Sequence, residues 1–147
     1  VFERIVVGTD GSDTAAEAVR QATELARLTG ASLEVVSAYQ PVARSRLREE
    51  TDEIPGDVAY AIGPREDVTT ILDAAAGPAR EQGVEVRTHP REGDPADSIL
   101  DVAEETKADL VVVGNKGMTG ARRFLLGSVP NKISHHAPCG VYIVRTT

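Results

Sequence analysis

The residues best suited to chemistry in this chain form one short run. It is Gly114-Asn115-Lys116-Gly117, followed after nine residues by Gly127-Ser128. Gly114 and Gly117 lack Cβ atoms, so their backbone N–H groups can approach an anion closely, and Gly127 can do the same at the next turn. Ser128 adds a hydroxyl donor where a helix is expected to begin. A helix N-terminus attracts phosphate through its unpaired N–H groups and its dipole. Lys116, Arg122 and Arg123 bring positive charge into an acidic chain. The chemistry this run offers is phosphate cradling. Each residue also has a plainer role: glycine after a strand commonly just turns the chain, and surface cations commonly serve solubility. A second run, Thr9-Asp10-Gly11-Ser12, closes the first expected strand, and an Asp before Gly-Ser there often just fixes the turn.

Other templates fit poorly. No Gly-Lys-Ser/Thr follows the glycine run, so it is not a P-loop. The first strand ends in Gly-Thr-Asp-Gly-Ser rather than the dinucleotide fingerprint Gly-x-Gly-x-x-Gly. His135 and His136 are adjacent, so on a helix they point about 100° apart and do not readily share one metal. His89 is expected at a strand end, on the surface. Cys139 reads as a small core residue, since nothing nearby in sequence lowers a thiol pKa. Asp94 and Asp97 read as helix-start acids. No catalytic residue and no metal cluster emerges from spacing.

The elements that must position these residues alternate. Arg4–Thr9, Leu33–Ala38, Leu110–Gly114 and Val141–Val144 are short apolar runs, as expected of strands buried on both faces of a parallel sheet. Val84–Thr88 alternates more and is expected at an edge. A helical stripe at Ala15, Val19, Ala22, Leu25 and Ala26 follows Ser12 or Thr14 as cap, with Thr14 and Glu17 fitting a capping box, and ends at Gly30. A second stripe, Val68, Ile71, Leu72, Ala75 and Ala79, is interrupted by Gly77-Pro78, which is expected to kink or split the helix. A third helix opens at Asp94-Pro95, and a fourth runs from about Ser128 to His136. Five strands alternating with four helices call for an α/β fold, a doubly wound parallel sheet, with residues 1–147 as one domain. Gln40–Gly63 shows weak periodicity and is expected to be a long functional loop. In such a sheet, ligands bind beyond the carboxyl ends of the strands, where the winding reverses. If the first and fourth strands are neighbours, both runs face one crevice.

Bulk properties narrow the classes. The chain has 147 residues and a formal net charge of -7, which argues against general affinity for nucleic acid or anionic membrane. Aromatics are only 3%, without Trp, so the core must be aliphatic. One cysteine permits no intrachain disulfide, which together with the lack of a signal-peptide pattern leads us to expect a cytoplasmic protein.

The spacing Gly114-x-x-Gly117, nine residues, Gly127-Ser128 resembles the nucleotide-binding motif of the universal stress protein family, in its ATP-binding type. The opening through Thr9-Asp10-Gly11-Ser12 and the ending, Pro138-Cys139-Gly140 before the last strand, are similar to that family as well. The resemblance implies a five-stranded parallel sheet in the order 3-2-1-4-5 with helices on both faces. It implies that Thr9 and Asp10 lie near the ribose or, through Mg²⁺ or Mn²⁺, the phosphates. Ala38 would meet adenine through its backbone. Gly114, Asn115, Lys116, Gly117, Gly127 and Ser128 would hold phosphates and ribose, with Val129 alongside. It also implies a homodimer paired along the last strand. Ser37-Ala38-Tyr39 departs from the more usual apolar residue at Ala38, and some actinobacterial relatives that prefer cyclic AMP look similar there.

These readings predict an adenine-nucleotide-binding regulatory module in stress response, taking ATP. The alternatives are a cyclic AMP (cAMP) binder on the same fold, or a very slow ATPase. No base to activate water is evident, so an enzyme is not expected.

Overall fold

A computed structural model describes residues 2–39, 64–115 and 128–145. Strand β1 (Arg4–Gly8) leads to helix α1 (Asp13–Thr29), then β2 (Ser32–Tyr39) and α2 (Pro64–Glu81). After these come β3 (Val86–Glu92), α3 (Pro95–Thr106), β4 (Leu110–Gly114), α4 (Ser128–His136) and β5 (Gly140–Val144). The five strands form one sheet in the order β3-β2-β1-β4-β5, and every adjacent pair is parallel. Gln40–Gly63, expected as a long loop, lies outside the described residues, as do Lys116, Gly117, Arg122, Arg123 and Gly127.

The apolar runs are uninterrupted because both faces of the sheet are covered. Successive side chains on a strand point to opposite faces. Ile5 and Val7 of β1 therefore join Leu33, Val35 and Val112 under α1 and α2, which contribute Ala18, Ala22, Val68 and Leu72. Val6 faces the other way, with Val36, Val111 and Val113, under Ile99, Val102 and Ala103 of α3 and Ile133 of α4. Small alanines on α1 let a helix approach the sheet closely, with Phe2 and Tyr39 packing at the margin of this cluster.

Local signals mostly act as the sequence suggests, with three corrections. Ser12, not Thr14, caps α1: its Oγ accepts from the Ala15 N–H at 3.2 Å. With Ser12 as cap, the reciprocal position falls on Ala15, so the Thr14–Glu17 capping box does not form; Glu17 instead accepts from Arg20 and Gln21. Gly77-Pro78 does not split α2, which runs on to Glu81. Proline there removes one donor only a few residues before the helix end, where little ladder remains to be lost.

The third correction concerns β3. It extends to Glu92 rather than ending at Thr88, pairing with β2 from Leu33↔Val86 to Tyr39↔Glu92. Pro90 is tolerated because β3 is an edge strand and pairs on one side only. His89 is therefore inside the strand rather than at its end, and its Nε2 lies 2.9 Å from Oε1 of Glu34. Asp94 caps α3 as expected, accepting from the Asp97 N–H at 3.0 Å. No helix among the described residues is long and apolar enough to cross a membrane.

Candidate functional site

The winding of the chain reverses at β1. From there it moves outward through β2 and β3 on one side, and through β4 and β5 on the other. At this switch point the carboxyl ends of β1, β2 and β4 open into a crevice. Gly8, Thr9 and Asp10 come from the end of β1, Val36 and Ala38 from β2, and Val113 and Gly114 from β4. The starts of three helices complete it, through Ala15 of α1, Pro95 and Ile99 of α3, and Val129 and Pro130 of α4. The crevice thus has an apolar lining, a ring of backbone ends and helix N-termini turned toward it.

Of the residues singled out from sequence, Thr9, Asp10, Ala38, Gly114 and Val129 line this crevice together. Asn115 follows directly on Gly114, its N–H bonded to the Val144 carbonyl at 2.9 Å, which ties the end of β4 to the end of β5. Ser128 is the exposed first residue of α4. Lys116, Gly117 and Gly127 lie outside the described residues.

The turn after β1 is built from its own side chains. Thr9 Oγ1 accepts from the Gly11 N–H at 3.1 Å, and Asp10 Oδ1 accepts from the Ser12 N–H at 2.9 Å. Gly11 is left-handed at φ 82°, which suits glycine. Asp10 therefore does fix the turn. Its Oδ2 accepts no hydrogen bond from the described residues, and Asp10 lines the crevice.

Sequence reading missed Gly8, Val36, Pro95, Ile99 and Pro130. Gly8 is the most telling. A Cβ placed on it would sit 2.4 Å from Ile99 Cδ1 and 3.1 Å from Ile99 Cγ1. Glycine at this position lets Ile99 of α3 lie against the end of β1 in its present rotamer. The signal available in sequence was a glycine at the end of an otherwise β-branched strand. Ile99 carried no signal beyond its place in a core stripe.

Among the described residues, no three His, Cys, Asp or Glu side chains cluster in a way that would hold a metal ion. His135 Nδ1 lies 2.9 Å from the Asn131 carbonyl oxygen, to which it can only donate, as part of its own helix end. Cys139 is half-buried against the α3–α4 core, and burial, followed by the nearby Asp109 charge, pushes its thiol pKa up.

This arrangement of strand order, switch-point crevice and helix starts has known counterparts. The sequence matches the universal stress protein family over residues 2–145. The chain belongs to that family. The universal stress protein Rv1636 of Mycobacterium tuberculosis is 37% identical over 147 residues, covering 99% of this chain and 98% of that protein. A universal stress protein solved in complex with cAMP superposes with a TM-score of 0.73 at 34% identity, covering 99% of both chains. One from Archaeoglobus fulgidus, solved in complex with dAMP, gives 0.64 at 29% identity, with 97% of this chain and 98% of that one covered. The likeness of this universal stress protein to both solved structures extends over nearly its whole length.

Proposed function

We propose that this chain is a regulatory module that binds an adenine nucleotide in the switch-point crevice. The observation that carries the reading is the convergence of the β1 and β4 ends with the start of α4 on one apolar cleft. Base burial suits Val36 and Ala38, and phosphate suits the glycine ends and Ser128. The cAMP and dAMP complexes of its relatives support an adenine ligand.

In the first form of this reading the ligand is ATP. A divalent cation, Mg²⁺ or Mn²⁺, then fits as a companion of the phosphates rather than a resident of the protein. Mg²⁺ is commonly held by one or two carboxylates together with phosphate oxygens and water. Asp10 supplies one hard oxygen donor in Oδ2, and the cation would offset charge on the triphosphate. In the second form the ligand is cyclic AMP, which needs no cation; the cAMP complex of a 34% identical relative favours it.

The described lining supports regulation over catalysis. Asp10 is the one titratable side chain among the described residues of the crevice, and it is engaged in its own turn. Phosphoryl transfer needs a group that positions the attacking water. We expect ATP turnover far below the order of 1 s⁻¹. The reading treats residues 1–147 as one cytoplasmic domain that forms a homodimer along β5, an edge of the sheet. A monomer mass by light scattering at micromolar concentration would remove the dimer.

The decisive experiment is calorimetric titration with ATP plus Mg²⁺ and, separately, with cAMP, repeated on Gly117→Val. Binding of either ligand, abolished by the substitution, supports the reading and chooses its form. Binding of neither overturns it.

A further inference from the structure

Lys132 stands outside the crevice but joins two of its walls. Its Nζ lies 2.7 Å from Asp97 Oδ1 and 3.6 Å from Asp94 Oδ2. Both acids belong to the start of α3. Asp94 is the cap, already holding the Asp97 N–H through the same Oδ2 and the Ser98 N–H and hydroxyl through its carbonyl at 2.9 and 2.8 Å. Lys132 is on α4, one turn after Ser128, so the two share a face of that helix.

The two helix starts it connects both line the crevice, α3 with Pro95 and Ile99, α4 with Val129 and Pro130. Behind them, Ile133 and Ile99 meet in one buried cluster, so the helices are packed at the base. The Lys132 contacts add a second link between the same two helices. From this geometry we propose that Lys132 is a positioning residue for the nucleotide site: its link to Asp94 and Asp97 sets the spacing between the α3 and α4 walls of the crevice. The inference rests on the nucleotide-binding reading above and names a residue that acts on the site without touching the ligand.

The link is partly exposed, so its effect is modest and sensitive to salt. A cation near a phosphate site also has a direct Coulombic effect, and the test must separate the two. Adenosine does this, because it fills the base and sugar positions and carries no charge.

Binding of cAMP and of adenosine is measured for the wild-type chain, Lys132→Met, Lys132→Arg and the exchange Lys132→Asp with Asp97→Lys. Melting curves check that each variant folds. The expected result is a loss of roughly two- to fivefold in affinity for both ligands in Lys132→Met, in keeping with exposed ion pairs. Lys132→Arg stays close to wild type, and the exchange recovers most of the adenosine affinity. Added salt lowers adenosine affinity in the wild type but not in Lys132→Met.

Unchanged affinity for both ligands in a folded Lys132→Met overturns the proposal. Loss confined to cAMP also overturns it, since the lysine then acts on phosphate charge alone. If the wild type binds neither ligand nor ATP, the nucleotide reading itself falls and takes this inference with it.

Discussion

Glu34 and His89 meet across adjacent strands, with His89 Nε2 2.9 Å from Glu34 Oε1, and the Glu34 side chain has no exposed surface. Glu34 shares the α3 face of the sheet with Val36, two residues on, and Val36 lines the crevice. The other carboxylate oxygen, Oε2, accepts no hydrogen bond among the described residues, and Arg87 Nε stands 3.7 Å from it. A buried carboxyl group is costly unless its oxygens are partnered, so the contact with His89, with Arg87 close by, makes Glu34 tolerable there. His89→Leu is expected to destabilise the fold by about 2–3 kcal/mol, just below the usual range for breaking a buried pair because Arg87 remains. The double variant Glu34→Leu with His89→Leu should recover much of that loss, because it leaves no charge behind. Urea unfolding of the three proteins checks the order. A single variant no less stable than the double would show that the carboxylate needs no partner.

Gly8 sets the approach of α3. In Gly8→Ala, the new methyl group would meet the end of the Ile99 side chain at 2.4 Å. Ile99 can rotate away, but the space it moves into is the crevice that both residues line. Overpacking of this kind typically costs about 1–3 kcal/mol. The expected outcome is a protein that still folds, with a lower melting temperature and weakened nucleotide binding. Trimming the neighbour in Gly8→Ala with Ile99→Val should restore part of both. Full nucleotide affinity in the single variant would show that the crevice is not shaped there.

These two cases mark where sequence reading stops. Strand runs such as Ile5–Val7 and Val111–Val113 were legible because burial on both faces leaves an unbroken β-branched signature. Asp94-Pro95 and Gly30 punctuated their helices for equally local reasons. The strand order and the convergence of Thr9, Asp10, Ala38, Gly114 and Val129 followed only from the family resemblance, since neighbours in a sheet are set by long-range packing. His89 was misplaced because the apolar alternation fades after Thr88, whereas pairing with β2 carries the strand on through Pro90 to Glu92. Gly8 and Ile99 were invisible as a pair, being far apart in sequence and meeting only through the seating of α3. Lys132 gave no signal at all, because its partners are on another helix.

On the surface of α1, Glu17 is held by a forked pair of bonds from Arg20, at 2.8 and 2.6 Å, with Gln21 adding a third. These hydrogen bonds, the Arg20 one foremost, lower its pKa to about 2. A carboxylate depressed in the folded state stabilises the protein above its unfolded pKa, about 4.3 for Glu, and that contribution is lost as pH falls toward the folded value. Carboxyl NMR titration should find Glu17 still ionised at a pH where a glutamate of ordinary pKa, about 4.3, is mostly protonated. Arg20→Gln should return Glu17 to the ordinary range. A Glu17 titration that Arg20→Gln leaves unmoved would assign the depression to another source.

Asp109 connects the sheet to the one thiol. Its Oδ2 accepts from the backbone N–H groups of Glu3 and Arg4 at 2.8 and 2.9 Å, which lowers its own pKa and ties the start of β4 to the start of β1. Kept ionised in this way, it adds to burial in raising the Cys139 thiol pKa. The thiolate is the reactive form, so Cys139 should react slowly with an aromatic disulfide reagent near neutral pH. Asp109→Asn removes the charge while keeping an oxygen that can still accept from β1. It is expected to speed the reaction less than opening the core would, because burial is the larger cause. Comparing the two variants Asp109→Asn and Ile133→Ala, the latter hollowing the core beside Cys139, separates charge from burial: the second should give the larger acceleration. Equal acceleration by both would show that charge counts as much as desolvation. No acceleration by Asp109→Asn would remove the electrostatic contribution.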